Sequence, residues 1–327
     1  MAIPRLLPHA ALVLCALASS CTPAKPSPEI ADAAPTAAAR DAPADGRPPI
    51  ELAIDLDALD PGLKREWVEK DLAAITRLAS GFPPRTLAEA LAAFDAQGND
   101  CAPHSQGLGI EARSCAMPGG YTTCWVALAT HDGELFEARA GCRGSETSWS
   151  KIAPITERAF AEALVPRGFR VEGRQATTTW VDDAKQQQLR GVLAAKLGAL
   201  AEIDVPPALQ EAVAMLGSPY TRNVLGTACG VGGSPPEAHR AMTALVDAGR
   251  DDLLRNALRG VNAGGRVYGY IGLRLLGKNT QADDATYDAL RALDLPLEAC
   301  GGCMTHEQGS ATLDLAPFER VHARRTE

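Results

Sequence analysis

Three side chains with sulfur or nitrogen donors follow one another closely near the end of the chain, in the stretch LEACGGCMTHEQ. Cys300, Cys303 and His306, together with Cys229 far upstream, are the residue types that form a tetrahedral Cys3His zinc site. The CxxC spacing of Cys300 and Cys303 is also that of a thiol redox pair. Redox activity usually requires this motif at a helix N-terminus in a βαβ unit. Here the motif follows a predicted helix and precedes a glycine-containing loop.

A third interpretation is that Cys229 forms a structural disulfide with Cys300 or Cys303 and so pins the terminal segment onto the preceding helices. Such a bridge closes a loop of about 70 residues and contributes roughly 4 kcal/mol of stability in the chain-entropy model. We favour this interpretation because the leader described below directs the chain to an oxidising compartment. The zinc site and the redox pair remain alternatives.

Four more cysteines lie before or within a predicted strand–turn–strand unit: Cys101 and Cys115 precede it, and Cys124 and Cys142 belong to its strands. The strands TTCWVALAT and ELFEARAGC flank the turn residues at 131–133. If the loop comprises the three residues 132–134, Cys124 and Cys142 lie opposite each other, which leaves Cys101 and Cys115 as the other pair. Four cysteines allow three pairings, and the sequence does not choose among them. Because seven cysteines lie beyond Cys21, at least one should stand outside the intramolecular bridges.

The remaining polar motifs do not assemble a catalytic constellation. The Asp182-Asp183 and Asp251-Asp252 pairs precede predicted helices, where carboxylates cap amides and interact with the helix dipole. The motifs GxSxG and HExxH are absent, and CGVGG at 229–233 matches no phosphate-binding loop. His104, His131 and His239 are expected on the surface. We therefore favour a non-enzymatic role without excluding an enzyme, and we predict no cofactor.

Residues 51–182 are predicted to form a small antiparallel sheet with helices. Asp60-Pro61 should open a helix that ends at Gly81, and Thr86-Leu-Ala-Glu89 is a capping box for a second helix that ends at Gly98. The hairpin comes next, then a helix at 155–164 and a second hairpin around Gly173.

Residues 183–327 are predicted to be mainly helical. Short apolar stripes alternate with glycines, and Ser234-Pro-Pro-Glu237 is another predicted capping box. The stretch 207–296 resembles HEAT-like helical repeats, and this resemblance implies an extended surface for a protein partner. An irregular helical bundle is the alternative. The predicted fold class of the whole chain is α+β.

The first 21 residues have the pattern of an export signal. One positive charge at Arg5 precedes an apolar run at 6–18, which as a helix would span only about 20 Å, short of a membrane. The sequence Ala18-Ser19-Ser20-Cys21 that follows resembles the lipobox of bacterial lipoproteins. The resemblance implies that the Cys21 thiol carries a diacylglyceryl group after cleavage. It also implies outer-membrane sorting, because Thr22 replaces the Asp that signals inner-membrane retention. An ordinary signal peptide that leaves Cys21 as a thiol is the alternative.

The segment after the leader has the composition of a tether. Residues 22–50 contain seven prolines in 29 residues and no aromatic residue, so they cannot bury enough surface to fold.

The formal charge of −8, or −9 without Arg5, gives no support for nucleic-acid binding. The predicted organisation is a signal peptide (1–20), a tether (21–50), a disulfide-linked α+β domain (51–182) and a helical domain (183–327). We expect an exported lipoprotein of the cell envelope, anchored to the outer membrane by lipid, that acts by binding or scaffolding. An envelope zinc or thiol-redox protein is the alternative.

Overall fold

A six-stranded antiparallel sheet forms the centre of the protein, with strand order β1-β2-β3-β4-β6-β5. The structure is a computed structural model that describes residues 50–57, 59–94 and 101–326. The predicted leader, Cys21, the tether up to residue 49 and the predicted helix end at Gly98 lie outside the described residues. The strands are β1 (His104–Gly107), β2 (Ile110–Pro118), β3 (Thr122–His131), β4 (Glu134–Gly144), β5 (Arg170–Glu172) and β6 (Gln175–Val181). Together with the helices, this sheet confirms the α+β class.

The β3–β4 hairpin reaches the predicted register by an unexpected route. The loop has two residues rather than three, since His131 pairs with Glu134, and the φ angles of Asp132 and Gly133 are 50° and 82°. These positive φ angles are what a tight two-residue hairpin turn requires. A β-bulge between Ala129 and Thr130 then shifts the register by one residue. As a result Cys124 still lies opposite Cys142.

Helices cover the sheet and fill the rest of the fold. They are α1 (Arg65–Gly81), α2 (Leu87–Phe94), α3 (Trp149–Ala159), α4 (Asp183–Leu197), α5 (Gln210–Gly217), α6 (Glu237–Asp247), α7 (Asp251–Leu258), α8 (Ala263–Leu275), α9 (Gln281–Ala292) and α10 (Ala316–Thr326). A π-helical turn (Phe160–Leu164) extends α3, and the hairpin around Gly173 is present as β5–β6.

Two predicted helix starts are wrong. Helix α1 begins at Arg65 rather than at Pro61, because Asp60 closes a separate turn in which its carbonyl accepts from the Leu63 N–H. Helix α6 begins at Glu237 without a side-chain cap, and Ser234 instead exchanges two backbone hydrogen bonds with Cys229. In both places a tight turn uses the polar residue that the capping pattern would have needed.

The sheet is buried on both faces. On one face, Val126 and Leu128 of β3 pack with Ile75 and Leu78 of α1. On the other, residues such as Phe136 join the apolar cluster of the C-terminal helices. The described residues from Ile50 onward form one compact unit. The predicted boundary at residue 182 stays a prediction.

Helix α8 runs through the middle of the C-terminal helices and is buried along residues 263–273. Its glycines allow this, because a Cβ on Gly265 would lie 1.9 Å from the Leu216 carbonyl oxygen and one on Gly269 would lie 2.5 Å from the Leu258 nitrogen. An enclosed central helix fits the irregular-bundle alternative better than a one-dimensional stack, in which each repeat contacts only its neighbours.

A β-hairpin that the sequence reasoning did not predict follows α9. It consists of β7 (Pro296–Gly301) and β8 (Met304–Gly309) and contains the CxxC motif. The loop between α5 and α6 pairs with β7. The Leu225 N–H donates to the Glu298 carbonyl and the Cys300 N–H donates to the Leu225 carbonyl, both at 2.8 Å. In the part of the chain that is described, none of the helices is long and apolar enough to cross a membrane.

Candidate functional site

A cleft of about 420 Å³ opens between the β1 edge of the sheet, the loop around residue 222 and the β7–β8 hairpin. Three distant parts of the chain and the first turn of α8 line it. The lining residues are Pro103–Gln106, Thr221–Asn223, Ala263, Gly264, Pro296–Glu298 and Thr305–Glu307. Most of these residues are polar or charged, so the cleft is suited to a polar ligand.

Gln106 fixes β1 against the start of α8. Its side chain is 2 % exposed, its Nε2 donates to the Pro219 carbonyl at 2.7 Å, and its Oε1 accepts from the Ala263 N–H at 2.7 Å. A buried amide with both ends hydrogen-bonded holds its neighbours in one geometry. Gln106 therefore joins three of the segments that surround the cleft.

Asn262, the N-cap of α8, organises the loop beside it. Its Oδ1 accepts from the Gly265 N–H at 2.7 Å and from Asn223 Nδ2 at 3.0 Å. Its Nδ2 donates to the carbonyls of Ser218 at 2.6 Å and Thr221 at 2.8 Å. One buried amide thus caps the helix and positions the loop that carries Arg222.

Arg266 lies behind the cleft and is fully buried. Its guanidinium donates to three carbonyls: those of Gln106 and Gly260 at 2.7 Å and that of Val261 at 3.1 Å. Burial lowers the pKa of Arg266 to about 9. Because its donors are occupied by backbone oxygens, Arg266 positions β1 and does not contact a ligand.

One wall of the cleft is basic. Arg222 is exposed, and His104 is half-buried with its Nε2 3.2 Å from the Pro219 carbonyl oxygen. Burial, and secondarily the charge of Arg222, lowers the pKa of His104. A neutral imidazole beside a permanent cation leaves Arg222 as the anion-binding group of this wall. The N-terminus of α8, at Ala263 and Gly264, adds the positive end of a helix dipole.

The other wall is acidic. Glu298 and Glu307 lie directly opposite each other on β7 and β8. Like charges in this position cost roughly 0.2–1 kcal/mol. Among the described residues, neither these two carboxylates nor Arg222 forms an ion pair. The arrangement can therefore bind a cation on the hairpin side and an anion on the loop side.

The histidines differ from the surface positions expected of them. His239 is 7 % exposed and packs between Tyr268 and Phe318, with its Nδ1 2.8 Å from the Gly226 carbonyl oxygen. Burial is the main cause of its lowered pKa. Only neighbours distant in sequence enclose this side chain, so no local pattern identifies it.

The four cysteines in or next to the sheet form two buried bridges, Cys101–Cys115 and Cys124–Cys142. This is the pairing expected from the opposite placement of Cys124 and Cys142. A third bridge joins Cys229 to Cys300 over 71 residues of sequence. The three disulfides indicate an oxidising, exported environment for the folded chain.

The candidate zinc ligands are not brought together. Cys229 and Cys300 are bonded to each other, exposed Cys303 lies in the turn between β7 and β8, and exposed His306 is opposite Ala299. Within the described ranges, no three His, Cys, Asp or Glu side chains could share a metal ion.

The sequence reasoning missed the charged residues of the cleft. A signal for the acidic wall was present, because apolar Leu297 and Ala299 alternate with polar positions around Glu298. With Gly302 and Cys303 read as a two-residue turn, Glu298 and Glu307 fall opposite each other. Comparison with known proteins gives no further guidance, since no family model, curated protein or solved structure matches this chain.

Proposed function

We propose that this protein is a lipid-anchored lipoprotein of the cell envelope that binds a small ligand carrying both an amino or guanidino group and a carboxylate, such as an amino acid or a short peptide. The observation that carries the binding role is the opposition of charges across the cleft. Glu298 and Glu307 form the acidic wall, and Arg222 stands on the wall that includes the start of α8.

Export and anchoring are supported separately. The apolar leader and the lipobox-like Ala18–Cys21 segment favour acylation of Cys21. The three disulfides agree with passage into an oxidising compartment. A proline-rich stretch of 29 residues would let the folded part reach up to about 90 Å from the lipid surface.

The shape of the cleft supports binding by a fixed site. Buried amides and a buried guanidinium hold its floor, so little conformational entropy is lost when a ligand enters. Each wall offers charges that are not already paired among the described residues. A zwitterion satisfies both walls at once, whereas a simple anion would meet the carboxylates of the hairpin.

Binding can be tested by equilibrium dialysis of the purified protein against a defined mixture of the twenty amino acids and of short peptides. We expect selective retention of one or a few of them. Charge-neutralising Glu298→Gln with Glu307→Gln, and separately Arg222→Gln, should each weaken retention at least tenfold. Glu172→Gln, on exposed β5 away from the cleft, is the matched control and should bind normally. Equal retention by all variants would contradict the assigned site.

The anchor is tested independently by growing the producing cells with a clickable fatty acid. The wild-type protein should take up the label, and Cys21→Ser should lose it. Labelling that persists in Cys21→Ser would contradict this attachment point and leave the binding test unaffected.

A further inference from the structure

We infer that Cys229, Cys300 and Cys303 form a thiol–disulfide exchange centre for low-molecular-weight thiols, in which the bridge moves between Cys229–Cys300 and Cys300–Cys303. Cys229 is bonded to Cys300 and pairs as an isolated bridge with Gly302, and Cys303 follows Gly302 in the turn of the same β7–β8 hairpin. This function goes beyond ligand binding in the cleft and does not depend on it.

The first observation is the accessibility of the third bridge. The four sulfur-bearing residues of the other two bridges are between 0 % and 8 % exposed, inside the apolar cluster that α1 forms with the sheet. Cys229 and Cys300 are only partly buried, and Cys303 is exposed. Thiol–disulfide exchange requires a thiolate to approach a disulfide sulfur, so access selects this bridge.

The second observation is the open backbone around the cysteines. Gly301 and Gly302 separate Cys300 from Cys303, and a Cβ at either glycine would meet nothing within 4 Å. The same is true of Gly230 and Gly233 on the loop that carries Cys229. The hairpin turn and the tip of the loop are therefore open on the outer side of the bridge, which its movement requires, while Gly226 packs against the inner side, where a Cβ would lie 2.4 Å from Cys300 Sγ.

The exchange conserves atoms and electrons. The Cys303 thiolate attacks Cys300 Sγ, a bond forms between these two sulfurs, the Cys229–Cys300 bond breaks, and Cys229 leaves as a thiolate that takes up a proton. One disulfide and one thiol are present before and after, so no oxidant or reductant is consumed.

An external thiol enters the same cycle. Its thiolate attacks Cys300 Sγ, forms a mixed disulfide there and expels the Cys229 thiolate. The Cys303 thiolate then attacks Cys300 Sγ and releases the external thiol. The product again has the Cys300–Cys303 bridge, and the loop that carries Cys229 is no longer covalently tied to the hairpin.

The sequence offers a direct readout for the position of the bridge. Trypsin should release Cys229 in peptide 223–240 and should release Cys300 and Cys303 together in peptide 292–320. The Cys229–Cys300 bridge links these two peptides. The Cys300–Cys303 bridge leaves them separate, with 292–320 lighter by two hydrogens and the Cys229 thiol available to N-ethylmaleimide.

The experiment uses the full chain, purified oxidised and incubated with a catalytic amount of reduced glutathione before N-ethylmaleimide is added. We expect about a tenth or more of the chains to carry the label on 223–240 together with the internal bridge in 292–320. This fraction corresponds to a gap of at most about 1.4 kcal/mol between the two bridged states. A chain that keeps the linked peptides at every time point, with all label on 292–320, would overturn the inference.

Two variants guard against misfolding and nonspecific reduction. In Cys303→Ser, any label on 223–240 should be accompanied by glutathione on 292–320, because no internal bridge can form. In Cys229→Ser, peptide 292–320 should be isolated with its internal bridge. If both of its cysteines instead take up N-ethylmaleimide, the pair cannot close and the inference fails. The cysteines at 101, 115, 124 and 142 should stay unlabelled throughout.

Discussion

Replacing Asn262 with Ala should cost far more stability than the loss of an ordinary helix cap. The side chain is 1 % exposed and takes part in hydrogen bonds with Gly265 N–H, Asn223 Nδ2 and the carbonyls of Ser218 and Thr221. Loss of the cap accounts for about 1 kcal/mol. Each of the other three bonds, which are buried or partly buried, adds about 1 kcal/mol. The free energy of unfolding should therefore fall by about 3–4 kcal/mol.

Thr280→Ala provides the matched control for Asn262→Ala. Thr280 also caps a helix, α9, through a bond from the Asp283 N–H, but among the described residues its side chain bonds only to Asp283 of the same helix and holds no separate loop. Its loss should cost about 1 kcal/mol. Urea unfolding of both variants measures the difference, and Asn262→Ser should recover about 1 kcal/mol by restoring a capping oxygen. If Asn262→Ala and Thr280→Ala cost the same, the inferred role of Asn262 in holding the 218–223 loop is refuted.

Three further predictions follow from buried or tightly packed positions. Asp71→Ala should lower the free energy of unfolding by about 3 kcal/mol or more in urea titrations, because the carboxylate accepts three backbone hydrogen bonds, from the N–H groups of residues 120–122. A loss under 1 kcal/mol would contradict this. Gly265→Ala should strongly destabilise the fold, whereas Gly191→Ala, in open space on α4, should raise the free energy of unfolding by about 1 kcal/mol. Thermal unfolding measures both variants, and a Gly265→Ala protein as stable as Gly191→Ala would exclude the close approach to Leu216. Burial lowers the pKa of His239 in the folded chain, so as the pH falls below about 6.5 the imidazole is protonated more readily in the unfolded chain. The free energy of unfolding should therefore be highest above that pH and should decline below it. His239→Gln should flatten this dependence in urea titrations between pH 7 and 5, and an unchanged slope in His239→Gln would argue against the assignment.

Local chemistry made part of this fold predictable from the sequence. The Asp132-Gly133 turn requires positive φ angles that this residue pair tolerates, so the hairpin could be placed. Asp182 was identified as a helix cap, and its carboxylate does accept from the Lys185 N–H. Signals of this kind depend on a few neighbouring residues, and the same short range explains the wrong starts of α1 and α6. Turn and cap compete there for the same residue.

The cleft depended on interactions that no local window contains. Gln106 reaches Ala263 over 157 positions, and Arg266 reaches the Gln106 carbonyl over 160. Glutamine and arginine are rarely buried, so residue type alone predicts that Gln106 and Arg266 lie on the surface. The β7–β8 hairpin is hard to predict for another reason: its cysteine and histidine residues indicate metal or redox ligands as readily as its alternating pattern indicates strands.

One loop both lines the cleft and carries a cysteine of the Cys229–Cys300 disulfide, so the spacing of the cleft walls and the position of the disulfide are coupled. Arg222 and Asn223 precede Leu225, whose backbone pairs with β7, and Cys229 closes the same segment onto Cys300. The distance between the basic and acidic walls is thus set at one end by Asn262 and at the other by the hairpin tip. Two backbone hydrogen bonds at Leu225 also join the loop to β7, so the proposed movement of the bridge to Cys303 would remove the covalent restraint without removing this pairing. A ligand that contacts both walls favours one wall spacing, and by linkage it must then favour whichever bridge holds that spacing better.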